Sequence, residues 1–302
     1  MKIAYLVLAH KNPALIQKQI DFLSSEDSAF FIHIDAKSKI DEFLSCNGRN
    51  VFFSTERVAV YWAEYSMIDA IVILIQQALS ASQKYDYFVL LSGSDYPIRS
   101  KQYIQRFFEN SRGTEFISLV EIPNIQAGIP LSKITTLRIP SNRPVYRFLI
   151  KLAAKLGFAQ RDYKKYLGSL RPYGGVTWWA LTRDACQYLL EFMEQHESIC
   201  QYFKGTFAPD ETFFHTILGN SAFEPHIRRC VMYDDWTAAD PHSGHPAEIG
   251  EEQLHFFEAS EKVMVDDVFG PGEMLFARKF SDENLDLVDR LEKIIKQKEA
   301  NY

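Results

Sequence analysis

Residues 2–9 read KIAYLVLA. The run is continuously apolar after one lysine, the character of a strand buried on both faces rather than the alternation of a half-exposed one. NPALIQKQIDFL follows, with Asn12 as a helix N-cap and Pro13 at the first helical position. AFFIHID (29–35), VFFS (51–54) and DYFVLLSG (86–93) repeat the strand pattern, and a long helix is expected from about Ala63 to Ser82. Strands alternating with helices imply an α/β protein with a doubly wound, Rossmann-type sheet flanked by helices. In such sheets ligands sit at the carboxyl ends of the strands. Those ends carry His10 and Lys11, Asp35, and Ser92 to Asp95.

The second half is less regular. EFISLVE (115–121), GGVTWWALT (174–182) and RRCVMYDDW (228–236) read as strands. RDACQYLLEFMEQH, ETFFHTILGN and SDENLDLVDRLEKIIKQK read as helices, the second stopped by Gly219 and Asn220. No repeat and no clean linker interrupts the 302 residues, so one domain is expected.

Composition is that of an ordinary globular protein, 47% hydrophobic and 24% charged. A net charge of −6 argues against nucleic acid as a partner. The four cysteines, Cys46, Cys186, Cys200 and Cys230, form no CxxC pair, which gives neither a zinc site nor a disulfide framework and points to a reducing compartment. No apolar run is long enough to span a membrane, so a soluble, cytoplasmic protein is expected.

Residues 207–218 read FAPDETFFHTIL. Asp210 and Glu211 open a helix, where acids complement the helix dipole whether or not they do chemistry. Asp35 has two readings, a helix cap or a hydrogen bond to a ligand. Asp95 in LSGSDYPI holds a tight turn or contacts a donor, and Trp62 is core or cleft. His242 and His245, in DPHSGHP, lie outside any strong zinc motif. No Asp-x-Asp pair occurs anywhere. Many enzymes that use nucleotide sugars hold a divalent cation on the diphosphate with two acids so spaced; a cationic clamp is the alternative, and LFARKF (275–280) offers Arg278 and Lys279, which read either as that clamp or as a snorkelling surface pair.

LAHKNP, IHIDAKS, LSGSDYPI, YGGVTWWALTR, APDE and LFARKF occur in that order between residues 3 and 280. The ordered set resembles the core-2/I-branching β-1,6-N-acetylglucosaminyltransferases, a family that includes peptide O-xylosyltransferases. The resemblance implies a GT-A-like fold and an inverting, metal-independent transfer from a UDP-sugar, with no cofactor beyond the donor substrate. It places the catalytic base on Glu211, a diphosphate-binding lysine on Lys279, a nucleoside contact on Asp35 and a nucleobase contact on Val7. It places a donor-side aromatic on Trp62 and an acceptor tryptophan on Trp236. No arginine aligns with the one that shares the diphosphate in core-2 enzymes, so Arg278 or a nearby basic residue is expected to take that role. The animal enzymes carry a membrane anchor and disulfides that are not seen here, which suggests a bacterial cytoplasmic relative acting in surface polysaccharide synthesis.

Glu211 is therefore expected to face the cleft while Asp210 braces the helix start. Trp178 and Trp179 are acceptor-side candidates, although neighbours on a strand face opposite sides and only one can line the cleft. The chain divides into a nucleotide-sugar-binding half (1–122) and an acceptor and catalytic half (123–302). From Arg138 to Arg171 the only acid is Asp162, and VYRFLIKLAAKLGF mixes basic and apolar residues at helical spacing. Residues 143–171 are thus a candidate for peripheral contact with the inner membrane face, suited to a lipid-linked oligosaccharide acceptor. Two other classes remain open: a metal-dependent hydrolase built on Asp35, His33 and the late histidines, and a non-catalytic glycan-binding protein.

Overall fold

The computed structural model describes residues 1–138, 160–237 and 245–300. The strands are β1 (Ile3–Ala9), β2 (Ser28–Ile34), β3 (Val51–Phe53), β4 (Tyr87–Ser92), β5 (Asp95–Pro97), β6 (Glu115–Ile117), β7 (Val120–Glu121), β8 (Tyr173–Gly174), β9 (Trp179–Thr182), β10 (Ile227–Arg228), β11 (Met232–Asp234), β12 (Met264–Asp267), β13 (Gly270–Glu273) and β14 (Phe276–Arg278). Seven of them form one mixed sheet in the order β10-β6-β9-β4-β1-β2-β3. β1 pairs in parallel with β2 and β4, and β9 runs antiparallel to both β4 and β6. The sheet is the Rossmann-type α/β mixed sheet expected, and it draws strands from both halves of the chain.

β1 shows why the run had to be apolar throughout. Ala4 and Leu6 pack under the helices Ser66–Ser80 and Arg183–Gln195, while Ile3, Tyr5 and Val7 pack under Pro13–Leu23 and Lys101–Asn110. Both faces are covered, so neither parity can be polar. The register sets Ala9 beside Ile34 and Leu8 beside Ser92. His10, Asp35 and Ser92 to Ser94 therefore emerge at one edge.

Several expected elements are broken by close approaches. GGVTWWALT pairs in the main sheet only over Trp179–Thr182. A Cβ on Gly175 would lie 1.8 Å from the Ser118 carbonyl oxygen, so the chain dives against that backbone instead of continuing the ladder. EFISLVE splits into β6 and β7, and RRCVMYDDW splits into β10 and β11 as it crosses from the large sheet to the small sheet β11-β14-β5. FAPDETFFHTIL also divides: Pro209–Glu211 is a 3₁₀ turn, and the α-helix begins at Phe213 and ends at Gly219. Pro13 takes its expected place, but Asn12 has φ 61° and its side chain makes no cap hydrogen bond. Its amide donates to the Gly93 carbonyl and Ser94 hydroxyl instead. The helix expected within residues 145–158 lies outside the described residues.

Candidate active site

A cleft of about 600 Å³ opens at the carboxyl ends of β1, β2 and β4. Its floor is polar and tightly tied. Asp35 accepts from the Lys37 backbone N–H (2.9 Å), the Lys37 ammonium (2.7 Å) and the Val60 N–H (3.4 Å). Burial works against its ionisation, but the bonds from Lys37 outweigh it and hold the carboxyl below its ordinary range. His33 Nε2 accepts from the Val58 N–H at 3.0 Å, which occupies the lone pair a metal would need.

Asp95 lies beneath this floor. It is fully buried and accepts from the Ser92 N–H (2.6 Å) and hydroxyl (2.9 Å). It does not reach the cleft, which corrects its reading as a donor contact: it fixes the turn and holds Arg278, whose Nε is 3.5 Å away. Arg278 lies over the Trp178 ring at 3.9 Å and is only 8% exposed. Burial lowers its pKa, opposed by Asp95 and Asp234. Lys279 lines the cleft beside it. Its pKa is pushed down to about 8 by burial and then by the charges of Arg278 and Lys11.

The facing wall is built on Pro209–Glu211. Ala208 introduces the turn in the left-handed region, φ 48°, and its N–H bonds to the Ala63 carbonyl. Asp210 Oδ2 accepts from the Thr177 hydroxyl at 2.7 Å, so Asp210 braces the wall against the YGG segment and not the helix start as expected. Burial, reinforced by Glu211 next door, pushes its pKa up to about 6. The Glu211 carboxylate points into the cleft, paired with Lys133, with 33% of its side chain exposed. Its carbonyl accepts from the Gly175 N–H at 2.9 Å. Below it, burial drops the His215 pKa to about 3, and the neutral ring contacts the Val176 carbonyl at 3.0 Å.

Three tryptophans reach the cleft. Trp62 is 62% exposed, edge-on to Phe207 and His245. Trp236 donates to Asp234 at 2.8 Å, and Trp178 lies under Arg278. Trp179 is in the core against Phe214, which removes it from the acceptor candidates. Val7 is corrected in the same way: strand alternation turns it into the core and gives Leu8 to the cleft. The structure thus brings together Asp35, Trp62, Trp178, Glu211, Trp236, Arg278 and Lys279.

Lys133 and Thr177 were not singled out by sequence. Lys133 sits in a stretch without a recognisable motif and meets Glu211 across 78 positions. Thr177 stands inside YGGVTWWALTR, beside two tryptophans and with no motif of its own. His245 lines the cleft, while His242 lies outside the described residues. Among the described residues no three His, Cys, Asp or Glu side chains converge as a metal site, and no helix is long and apolar enough to cross a membrane.

The family model described as Core-2/I-Branching enzyme matches residues 3–257. The chain belongs to that family. Among curated proteins it is similar to xylosyltransferase 1 of Canis lupus familiaris, 24% identical over 76% of this chain and 23% of the relative. It is also similar to xylosyltransferase oxt of Drosophila melanogaster, 21% identical over 73% of this chain and 24% of the relative. The chain spans about a quarter of the length of these relatives. Among solved structures it resembles mouse xyloside xylosyltransferase 1 in its apo form, 12% identical, covering 78% of this chain and 89% of that one with a TM-score of 0.32.

Proposed function

We propose that this family member is an inverting glycosyltransferase, moving a sugar from a UDP-sugar to a hydroxyl of a glycan, with Glu211 as general base. The observation that carries this reading is the pairing of opposite chemistries across one cleft. Glu211 projects from one wall, and Lys279 lies at the strand ends of the floor. In the reaction the acceptor oxygen attacks the anomeric carbon as its proton passes to the Glu211 carboxylate. The bond from the anomeric carbon to the diphosphate oxygen breaks, and UDP departs with that electron pair. Its growing charge is met by side-chain cations, so the transfer needs no divalent ion. Asp35 and Lys37 form the nucleoside end, and Trp178 and Trp236 offer faces for acceptor sugars.

N-acetylglucosamine is the donor sugar expected from the core-2 branch of the family. Xylose is the second reading, favoured by the relatives that carry that name. Screening UDP-xylose, UDP-GlcNAc, UDP-glucose and UDP-galactose by thermal shift in EDTA ranks the donors, because a bound ligand raises apparent stability by mass action. No stabilisation by any of them, with or without manganese, would overturn the transferase reading. The acceptor is a glycan or lipid-linked oligosaccharide. The membrane-contact reading of 143–171 falls mostly outside the described residues, and within them Arg161 is packed over Tyr202 at 3.8 Å.

A further inference from the structure

We propose that Lys11 is a diphosphate-binding cation acting with Lys279. This inference rests on the UDP-sugar reading of the cleft.

In a doubly wound sheet the first place to seek a phosphate is the N-terminus of the first helix, where free N–H groups converge. Here that position is filled. Pro13 has no N–H, and the Ala14 and Leu15 N–H groups donate to the Asp282 carboxylate at 3.3 and 2.8 Å. The Ile16 N–H returns to the Asn12 carbonyl. A carboxylate from the far end of the chain already occupies the anion site, so a second anion there would be repelled. The diphosphate must be met by side chains.

Arg278 also lines the cleft, but with less freedom to move. Its guanidinium is nearly buried, stacked on Trp178, and flanked by Asp95 and Asp234. Lys11 and Lys279 are different. Both line the cleft, and among the described residues neither side chain has an ion pair or hydrogen-bond partner. They are close enough for Lys11 to depress Lys279, and His10 between the strand ends is lowered by burial and by Lys11 as well. Two ammonium groups lining one half-buried cleft, neither in an ion pair among the described residues, raise the energy of the empty site. A dianionic bridge between them removes that repulsion. Lys11 is also held from behind: a Cβ on Gly93 would come within 3.1 Å of the Lys11 carbonyl, so the turn after β4 packs directly under the Lys11 backbone.

Calorimetric titration of UDP and of uridine into the wild type, Lys11→Ala, Lys11→Arg and Lys279→Ala tests the assignment. Lys11→Ala and Lys279→Ala are each expected to weaken UDP about ten- to hundredfold, the scale of a charge-assisted hydrogen bond, and to leave uridine unchanged. Lys11→Arg should retain most UDP affinity. Lys11 is exposed, so its variants should melt with the wild type. Wild-type preference for UDP over uridine, kept intact in Lys11→Ala, overturns the role of Lys11 alone. A wild type that binds neither compound overturns the donor reading and this inference with it.

Discussion

The floor and the wall of the cleft are built in opposite ways. On the floor, Asp35 and Ser92 stand at the ends of long parallel strands, and the partners that fix Asp35 are local, Lys37 at two positions and Val60 at 25. On the wall, Glu211 and Asp210 stand on a three-residue 3₁₀ turn, steadied by Lys133 and Thr177 from distant stretches. A strand end is placed by the sheet whatever the loops do. A short turn is placed only by the contacts that happen to reach it. On the proposed reading the floor is a rigid cradle for the donor, and the wall is where small changes should alter chemistry without altering donor affinity.

The hardest test of that division is Glu211→Gln. Transfer should fall about 10²- to 10⁴-fold, the usual worth of a general base, with UDP affinity unchanged. Paired tryptophan variants come next. Trp179→Ala should lose about 3–5 kcal/mol of stability in urea denaturation, as a fully buried aromatic does, whereas Trp178→Ala should leave the fold and weaken the acceptor. Lys133→Ala should lower turnover about tenfold, the size of one lost charged contact, with UDP binding intact. If Lys133→Ala instead abolishes UDP binding, floor and wall are not separate.

Two pH effects sharpen the same contrast. On the floor, the Lys279 pKa near 8 means that the empty site loses its charge as pH rises through that value. UDP favours the protonated form, so affinity should fall above pH 8 and binding should take up protons, visible as a buffer-dependent enthalpy. On the wall, Asp210 holds its proton up to about pH 6 in the fold, more tightly than in the unfolded chain. The folded state then binds more protons between the ordinary carboxylate range and pH 6, so this group's contribution to stability falls as pH rises through that window. Asp210→Asn should therefore raise the melting temperature at pH 7, by about a few degrees, and the gain should vanish near pH 4.

The contrast also explains what could be read from the chain. KIAYLVLA and its fellow strands announced the sheet because burial on both faces imposes an unmistakable pattern, and the strand-end rule led to Asp35 and to His10 and Lys11. Family motifs pointed to Glu211, Lys279 and Trp236, all of which line the cleft. Val7 was misjudged by one residue, and in a strand one residue is the difference between core and cleft. Asp95 was misjudged because a buried turn-holder and a ligand contact look alike in sequence. Trp178 and Trp179 could be divided in principle but not assigned, since the strand begins between them: the close approach of Gly175 to Ser118 delays pairing until Trp179. Lys133 left no trace, because nothing local marks a lysine whose partner is 78 positions away.

The most direct measurement is UDP release from the preferred UDP-sugar, in EDTA and with a panel of glycoside acceptors, comparing the wild type with Glu211→Gln. An acceptor-dependent release by the wild type, lost in Glu211→Gln while calorimetric UDP binding persists, is the predicted result. Retention of most turnover by a folded Glu211→Gln, or an absolute requirement for added metal, would contradict the account.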